Sequence, residues 1–289
     1  MSYGGCALPS LASLSPLRAD LFFTPPIAAN ATLPDGSIGL WQPTVVTLVS
    51  GQSEAVLIDT LFTSDQDFAL SDWIEETLNG KRLRTIYHGG RNGLNRLCNH
   101  FFNGPYMQRR FPGVEIVSTN HSIDHMATQL TPKMQTFWNE LFPGQIPEES
   151  FQVLAKPLAD NKFTLEGHIF EAIDVGHSDT DETTFLHVPS LDMVVAGDIV
   201  YNDVHMWMTE STTQGQRDAW IRSLDKVAAV NPGIVVSSHH RQGGVDGAFN
   251  IDAMTTEKNA TDLYNKVLEV YPNRIGNLVL WLGCQAQFD

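Results

Sequence analysis

Apolar residues fall in short runs along most of this chain, and most runs stop at a small or turn-forming residue. Val45-Val46-Thr47-Leu48-Val49 and Ala55-Val56-Leu57-Ile58-Asp59-Thr60 flank Ser50-Gly51-Gln52, which predicts two strands around a tight turn. The period then changes. Phe68, Leu70, Trp73, Ile74 and Leu78 share one helical face, so a helix is expected over 68–78. A short strand over 83–87 follows. Arg109-Arg110-Phe111-Pro112-Gly113 marks a helix end and turn, before a strand over 114–118 and a helix over 122–129.

Strand-like runs return at 163–165, 169–175, 183–188 and 193–196. Trp220, Ile221, Leu224 and Val227 stand at core spacing in a helix expected over 214–229. A strand at 234–237 and a tail helix from about 256 to 271 complete the pattern. Two blocks of strand, each followed by helix, predict two packed sheets flanked by helices. Residues 1–36, rich in Pro, Ala and Ser, are expected to be an irregular lead-in. Residues 132–157, with Trp138, Phe142 and several prolines, are expected to form a lid or insert whose Trp138 touches substrate.

The length of 289 residues is ample for one large domain with a buried core. The composition, 42% apolar and 18% charged, is that of a soluble globular protein. The formal charge of −15 removes a sequence-independent grip on nucleic acid or anionic lipid, which needs a basic surface. Cys6, Cys98 and Cys284 are far apart, with no Cys-x-x-Cys pair. A thiolate zinc site and a disulfide scaffold are therefore not expected. Neither a signal peptide nor a membrane span is legible, so the expected location is cytoplasmic.

Candidate chemistry sits at three strand ends. Val175-Gly176-His177-Ser178, Ala196-Gly197-Asp198 and Val236-Ser237-Ser238-His239-His240 each finish a hydrophobic run at a His or Asp beside small residues. Strand ends of this kind can aim imidazole and carboxylate ligands at one borderline cation such as zinc. His121 and His125 share a helical face, but no His-Glu-x-x-His pattern surrounds them. His168 and His187 read as structural, and His240 as a neighbour of the ligand His239. No Gly-x-Ser-x-Gly elbow is present, which disfavours a serine hydrolase.

The ordered segments Leu57-Ile58-Asp59-Thr60, Val175-Gly176-His177-Ser178, His187-Val188-Pro189, Val195-Ala196-Gly197-Asp198 and Val235-Val236-Ser237-Ser238-His239 resemble the metallo-β-lactamase superfamily from about Val45 to the tail. Within it, Tyr201-Asn202-Asp203-Val204-His205 is similar to a branch with a His shortly after Gly-Asp. The resemblance implies a four-layer αββα sandwich as a single domain over 1–289. It also implies a metal site at one edge of the two sheets. Asp198 would bridge two metals between His177 and His239, and Asp59 would be a structural loop residue.

The chain departs from the family at its His-x-His-x-Asp-His signature. The corresponding stretch reads Tyr87-His88-Gly89-Gly90-Arg91-Asn92-Gly93-Leu94-Asn95-Arg96-Leu97-Cys98-Asn99-His100. In one alignment His88 is the opening His. In the other, which the following Phe101-Phe102 and Gly104-Pro105 favour, Asn99-His100 replaces Asp-His. The resemblance then implies one firmly held ion (zinc, or manganese or iron) on His100, Asp198 and His239, with His177 serving a weak or empty second site. Asn99 and Asp198 would be the catalytic groups, and His205, Met206, Trp207 and Met208 would contact substrate. The expected function is hydrolysis of a small ester, lactone, thioester or amide by metal-activated water. The rival expectation is a protein that has lost metal hydrolysis. It would act as a metal-free isomerase, lyase or cyclase, or would only bind a small molecule.

Overall fold

The computed structural model describes residues 14–89, 102–148, 155–243, 264–265, 267–269 and 271–287. The chain begins with β1 (Arg18–Phe23) and a separate hairpin of β2 (Ile27–Thr32) and β3 (Ile38–Trp41). Next come β4 (Val45–Ser50), β5 (Glu54–Ile58), α1 (Ser64–Leu78), β6 (Arg82–Tyr87), α2 (Gly104–Arg110), β7 (Glu115–Ser118), α3 (Asn120–Gln129), α4 (Pro132–Leu141) and β8 (Lys156–Pro157). The second half holds β9 (Lys162–Leu165), β10 (His168–Gly176), β11 (Thr183–Val188), β12 (Met193–Asn202), α5 (Gln214–Ala229), β13 (Ile234–His240) and α6 (Asn277–Ala286). Most of the tail helix expected at 256–271 lies outside the described residues.

One sheet has the order β1-β4-β5-β6-β7-β8 and the other β13-β12-β11-β10-β9. Their central strands are apolar on both faces, and the alternation shows why. Val56 and Ile58 of β5 face the other sheet and pack with Phe170, Leu186, Val195 and Val236. Ala55 and Leu57, one residue out of phase, pack outward against Leu70, Ile74 and Leu78 of α1. In β12, Met193 and Val195 point between the sheets, while Val194 and Ala196 meet Val227 of α5. A strand sandwiched on both sides must read as a continuous hydrophobic run. The layers are helix, sheet, sheet and helix, so the αββα sandwich is present.

Strand direction brings the chemistry to one edge. β10 and β12 are both antiparallel to β11, and β13 is parallel to β12, so β10, β12 and β13 end together. β5, β6 and β7 are likewise parallel and end together. The two groups of ends are tied to each other. Thr184 N donates to the Gly89 carbonyl at 3.1 Å, and the Tyr87 and Thr184 hydroxyls are 2.7 Å apart. At the opposite edge, Glu166 in the β9–β10 turn accepts from the backbone N–H groups of Gln52, Ser53 and Glu54.

Two expectations from sequence are corrected. Residues 1–36 are not irregular throughout, because β1 pairs with β4 over six residues and β2 pairs with β3. Pro25-Pro26 cuts these strands short and hides their alternation. Residues 132–141 form a packed helix instead of an open insert. Thr131 caps it, Pro132 occupies its first turn, and Trp138 is fully buried with its ring 5.7 Å from Trp41. Residues 149–154 of the expected lid lie outside the described residues.

Candidate metal centre

Asp198 and His239 meet at the end of the second sheet. Asp198 Oδ1 lies 3.4 Å from His239 Nε2, and both side chains are wholly out of solvent. The β12–β13 ladder explains the aim of the carboxylate. Its register shifts between Gly197↔Ser237 and Tyr201↔His239, so Asp198 sits in an irregularity of a parallel pair. Such bulges re-aim a side chain, and Gly197 supplies the positive φ of 67° just before it. α5 braces the strand from outside, where the Trp220 indole donates to the Ile199 carbonyl at 2.9 Å.

Contacts on several sides hold His239: its ring packs 5.8 Å from Tyr201, its Nε2 faces Asp198, and its Nδ1 is 2.7 Å from the Pro43 carbonyl oxygen. A carbonyl only accepts, so Nδ1 carries the hydrogen. In the neutral ring Nε2 then presents a lone pair toward a buried carboxylate. A lone pair and an anion at that separation repel unless a cation or proton lies between them. A backbone carbonyl fixing the far nitrogen is also how metal-bound imidazoles are commonly oriented. The donor set of Asp198 and His239 therefore fits a cation.

His177 is placed differently. Gly176, with φ 86°, turns the chain out of β10, and the His177 carbonyl accepts from Ser223 Oγ of α5 at 2.7 Å. Its ring makes two hydrogen bonds: Nδ1 is 2.6 Å from Asp181 Oδ1, and Nε2 is 2.9 Å from Ser211 Oγ. Among the described residues, no three His, Cys, Asp or Glu side chains cluster as the ligands of one ion. Asn99 and His100 lie outside the described residues.

Two solved structures share this architecture. A metallo-β-lactamase from Pontibacter korlensis aligns with a TM-score of 0.50 and 16% identity, covering 78% of this chain and 87% of that one. The metallo-β-lactamase IND-7 aligns with a TM-score of 0.51 and 12% identity, covering 83% and 92%. The chain has the metallo-β-lactamase fold. At these identities the likeness is one of fold. No family model matches the sequence, and no curated protein does.

Around this metallo-β-lactamase-type edge, His88 is buried after β6, and burial holds its ring down to about 3, so it stays neutral. Its backbone is fixed by Val117 O and Ser118 Oγ. Asp59, with φ 64°, accepts from Gly89 N at 2.9 Å and so ties the end of β5 to the end of β6. His205 is buried, its N–H bonds the Ile275 carbonyl, and burial first, then Arg274, lowers its ring to about 4. Trp207 is fully buried, 6.3 Å from Trp41, while Met206 and Met208 are half-buried. Glu210, beside Trp207, is raised to about 9, mainly by burial and then by Asp179.

His121 is exposed and faces Asp174 and Glu182 at 3.7 and 3.8 Å. His168 is held by Ser190 and Ser15, and His240 packs edge-on to Phe23. Sequence reasoning missed Asp181, Ser211 and the Pro43 carbonyl. Asp181 stands four residues after His177, a local cue. Ser211 and Pro43 are remote in sequence and left none. No helix among the described residues is long and apolar enough to cross a membrane.

Proposed function

We propose that the protein is a metal-dependent hydrolase of a small ester, lactone, thioester or amide. The observation that carries this reading is the buried Asp198–His239 pair, with the His239 tautomer fixed by Pro43. Asp198 and His239 would hold one ion, with His100 as the third protein ligand. A bound zinc, manganese or iron ion would supply Lewis acidity toward a carbonyl group and toward water. The chain's own residues do the rest. Pro43 and Tyr201 keep His239 oriented, Asn99 would orient the water, and Met206 and Met208 would meet the apolar part of the substrate. The two metallo-β-lactamases of like fold add a β-lactam amide to the substrates worth assaying.

The test is elemental analysis of purified protein together with hydrolysis of an ester, lactone, thioester and β-lactam panel. One equivalent of metal and turnover that disappears on chelation are expected. Protein that binds no metal and hydrolyses none of the panel would instead favour the second reading, a metal-free isomerase, lyase or cyclase on this fold. That reading is favoured by one observation, the engagement of both His177 ring nitrogens by Asp181 and Ser211.

A further inference from the structure

Gln42 is buried, yet both polar atoms of its carboxamide lack a hydrogen-bond partner among the described residues. Its neighbours repeat the pattern: Trp41 Nε1 and Thr44 Oγ1 are also buried without a partner there. Native folds rarely leave buried polar groups in this condition, because each unmade bond costs stability. β4 runs antiparallel to β5, so the segment that enters β4 lies at the edge where β5 ends. Pro43, the next residue, places its carbonyl oxygen 2.7 Å from His239 Nδ1. Gln42 is therefore one peptide away from the group that orients the proposed metal ligand.

Gly276 packs against Gln42. A Cβ at that glycine would stand 2.9 Å from Gln42 Cβ and 3.2 Å from its Oε1. Ile275, the residue before it, accepts from His205 N at 2.9 Å, and His205 Nε2 is again buried without a partner among the described residues. Gln42 and His205 thus both rest on the Ile275–Gly276 pair. A carboxamide offers an acceptor and a donor side by side and carries no charge. The group that satisfies both at once has its own N–H and C=O on one side, as in a lactam or a primary carboxamide. An ester, lactone or thioester brings acceptors only and would leave Oε1 unbonded. We propose that Gln42 is a specificity residue that pairs with an amide group of the substrate, with His205 beside it. The proposal rests on the hydrolase reading above and narrows its substrates to lactams and carboxamides.

The experiment has two arms on the full chain, and the first needs no turnover. ¹H–¹⁵N spectra of the assigned Gln42 side-chain NH₂ group are recorded with δ-valerolactam and with its N-methyl derivative, which keeps the carbonyl and lacks the N–H. A shift with δ-valerolactam alone is expected. Signals that answer both compounds equally overturn the proposal. Signals that answer neither also overturn it, and leave a trapped water as the occupant. In the second arm, kcat/KM for δ-valerolactam and δ-valerolactone is compared between wild type and Gln42→Met, which keeps the side-chain length and removes both polar atoms. The lactam-to-lactone ratio should fall by about 10- to 100-fold, the effect of one buried group left unbonded. Urea unfolding should find the variant at least as stable as wild type. An unchanged ratio overturns the proposal, and so does a lower unfolding midpoint, which would mean that the carboxamide is already bonded in the free protein. A Gln42 shift with δ-valerolactam in a protein that hydrolyses neither compound would sink the hydrolase reading and leave the amide subsite standing.

Discussion

Asp198 and His239, forty-one residues apart in sequence, face each other across 3.4 Å in a place without solvent. The ionised Asp198 would not be stable there alone, since an isolated buried carboxylate carries a large desolvation cost. Their opposition is the reason to expect a cation between them. His239→Ala and Asp198→Asn should each reduce bound metal to background. Hydrolysis should fall by about 100-fold or more in both. Elemental analysis and a steady-state assay check this, and a metal content equal to wild type in His239→Ala would refute the assignment.

Glu166 gives a prediction at low pH. Its carboxylate accepts from the N–H groups of Gln52, Ser53 and Glu54, which hold its pKa down to about 2, against an ordinary value of 4.5. A depressed acid stabilises the fold above its unfolded value and loses that contribution as pH falls through the folded one. Glu166→Gln should cost about 1 kcal/mol near neutrality, reduced by solvent screening at this surface site. The gap between wild type and variant should close between about pH 4.5 and pH 2, read by urea unfolding at each pH.

Asp67 behaves in the opposite sense. It is buried in α1, and burial raises its carboxyl to about 9, with Arg109 only partly opposing this. Between about pH 4 and pH 9 the unfolded chain binds fewer protons at this group, so stability falls as pH rises. The slope is up to about 1.4 kcal/mol per pH unit. Asp67→Asn should flatten that part of the curve and raise the melting temperature most at the alkaline end. Equal slopes in the two proteins would show the carboxyl to be solvated.

Trp138 sits among Trp41, Phe62, Phe102 and Phe142, all within 6.2 Å between ring centres. Trp138→Ala should lower stability by about 3–5 kcal/mol through lost burial and the void it leaves. Chemical denaturation measures this. A cost under about 1 kcal/mol would mean the helix is a loosely held insert after all.

The sandwich was legible because its central strands are apolar on both faces and end at turns, as at Gly176. The alternation in Ala55 to Ile58 could be read with no partner strand in view. β1 and β2 could not, because they are six residues each, partly exposed and interrupted by Pro25-Pro26. Of the proposed metal centre, Asp198 and His239 were legible as the ends of apolar runs, and the structure brings the two side chains together. The state of His177 was not, because it depends on Ser211, whose position follows from the turn into α5. Asn99 and His100 stand where sequence alone speaks.

The bond from His239 to Pro43 spans 196 positions of the chain. A growing polypeptide therefore cannot orient this proposed ligand until the segment that carries His239 has been made, long after Pro43. A fragment that lacks Pro43 would bear an unaligned imidazole. Ion capture would thus mark completed folding, and a truncated product would pass through the cell without it.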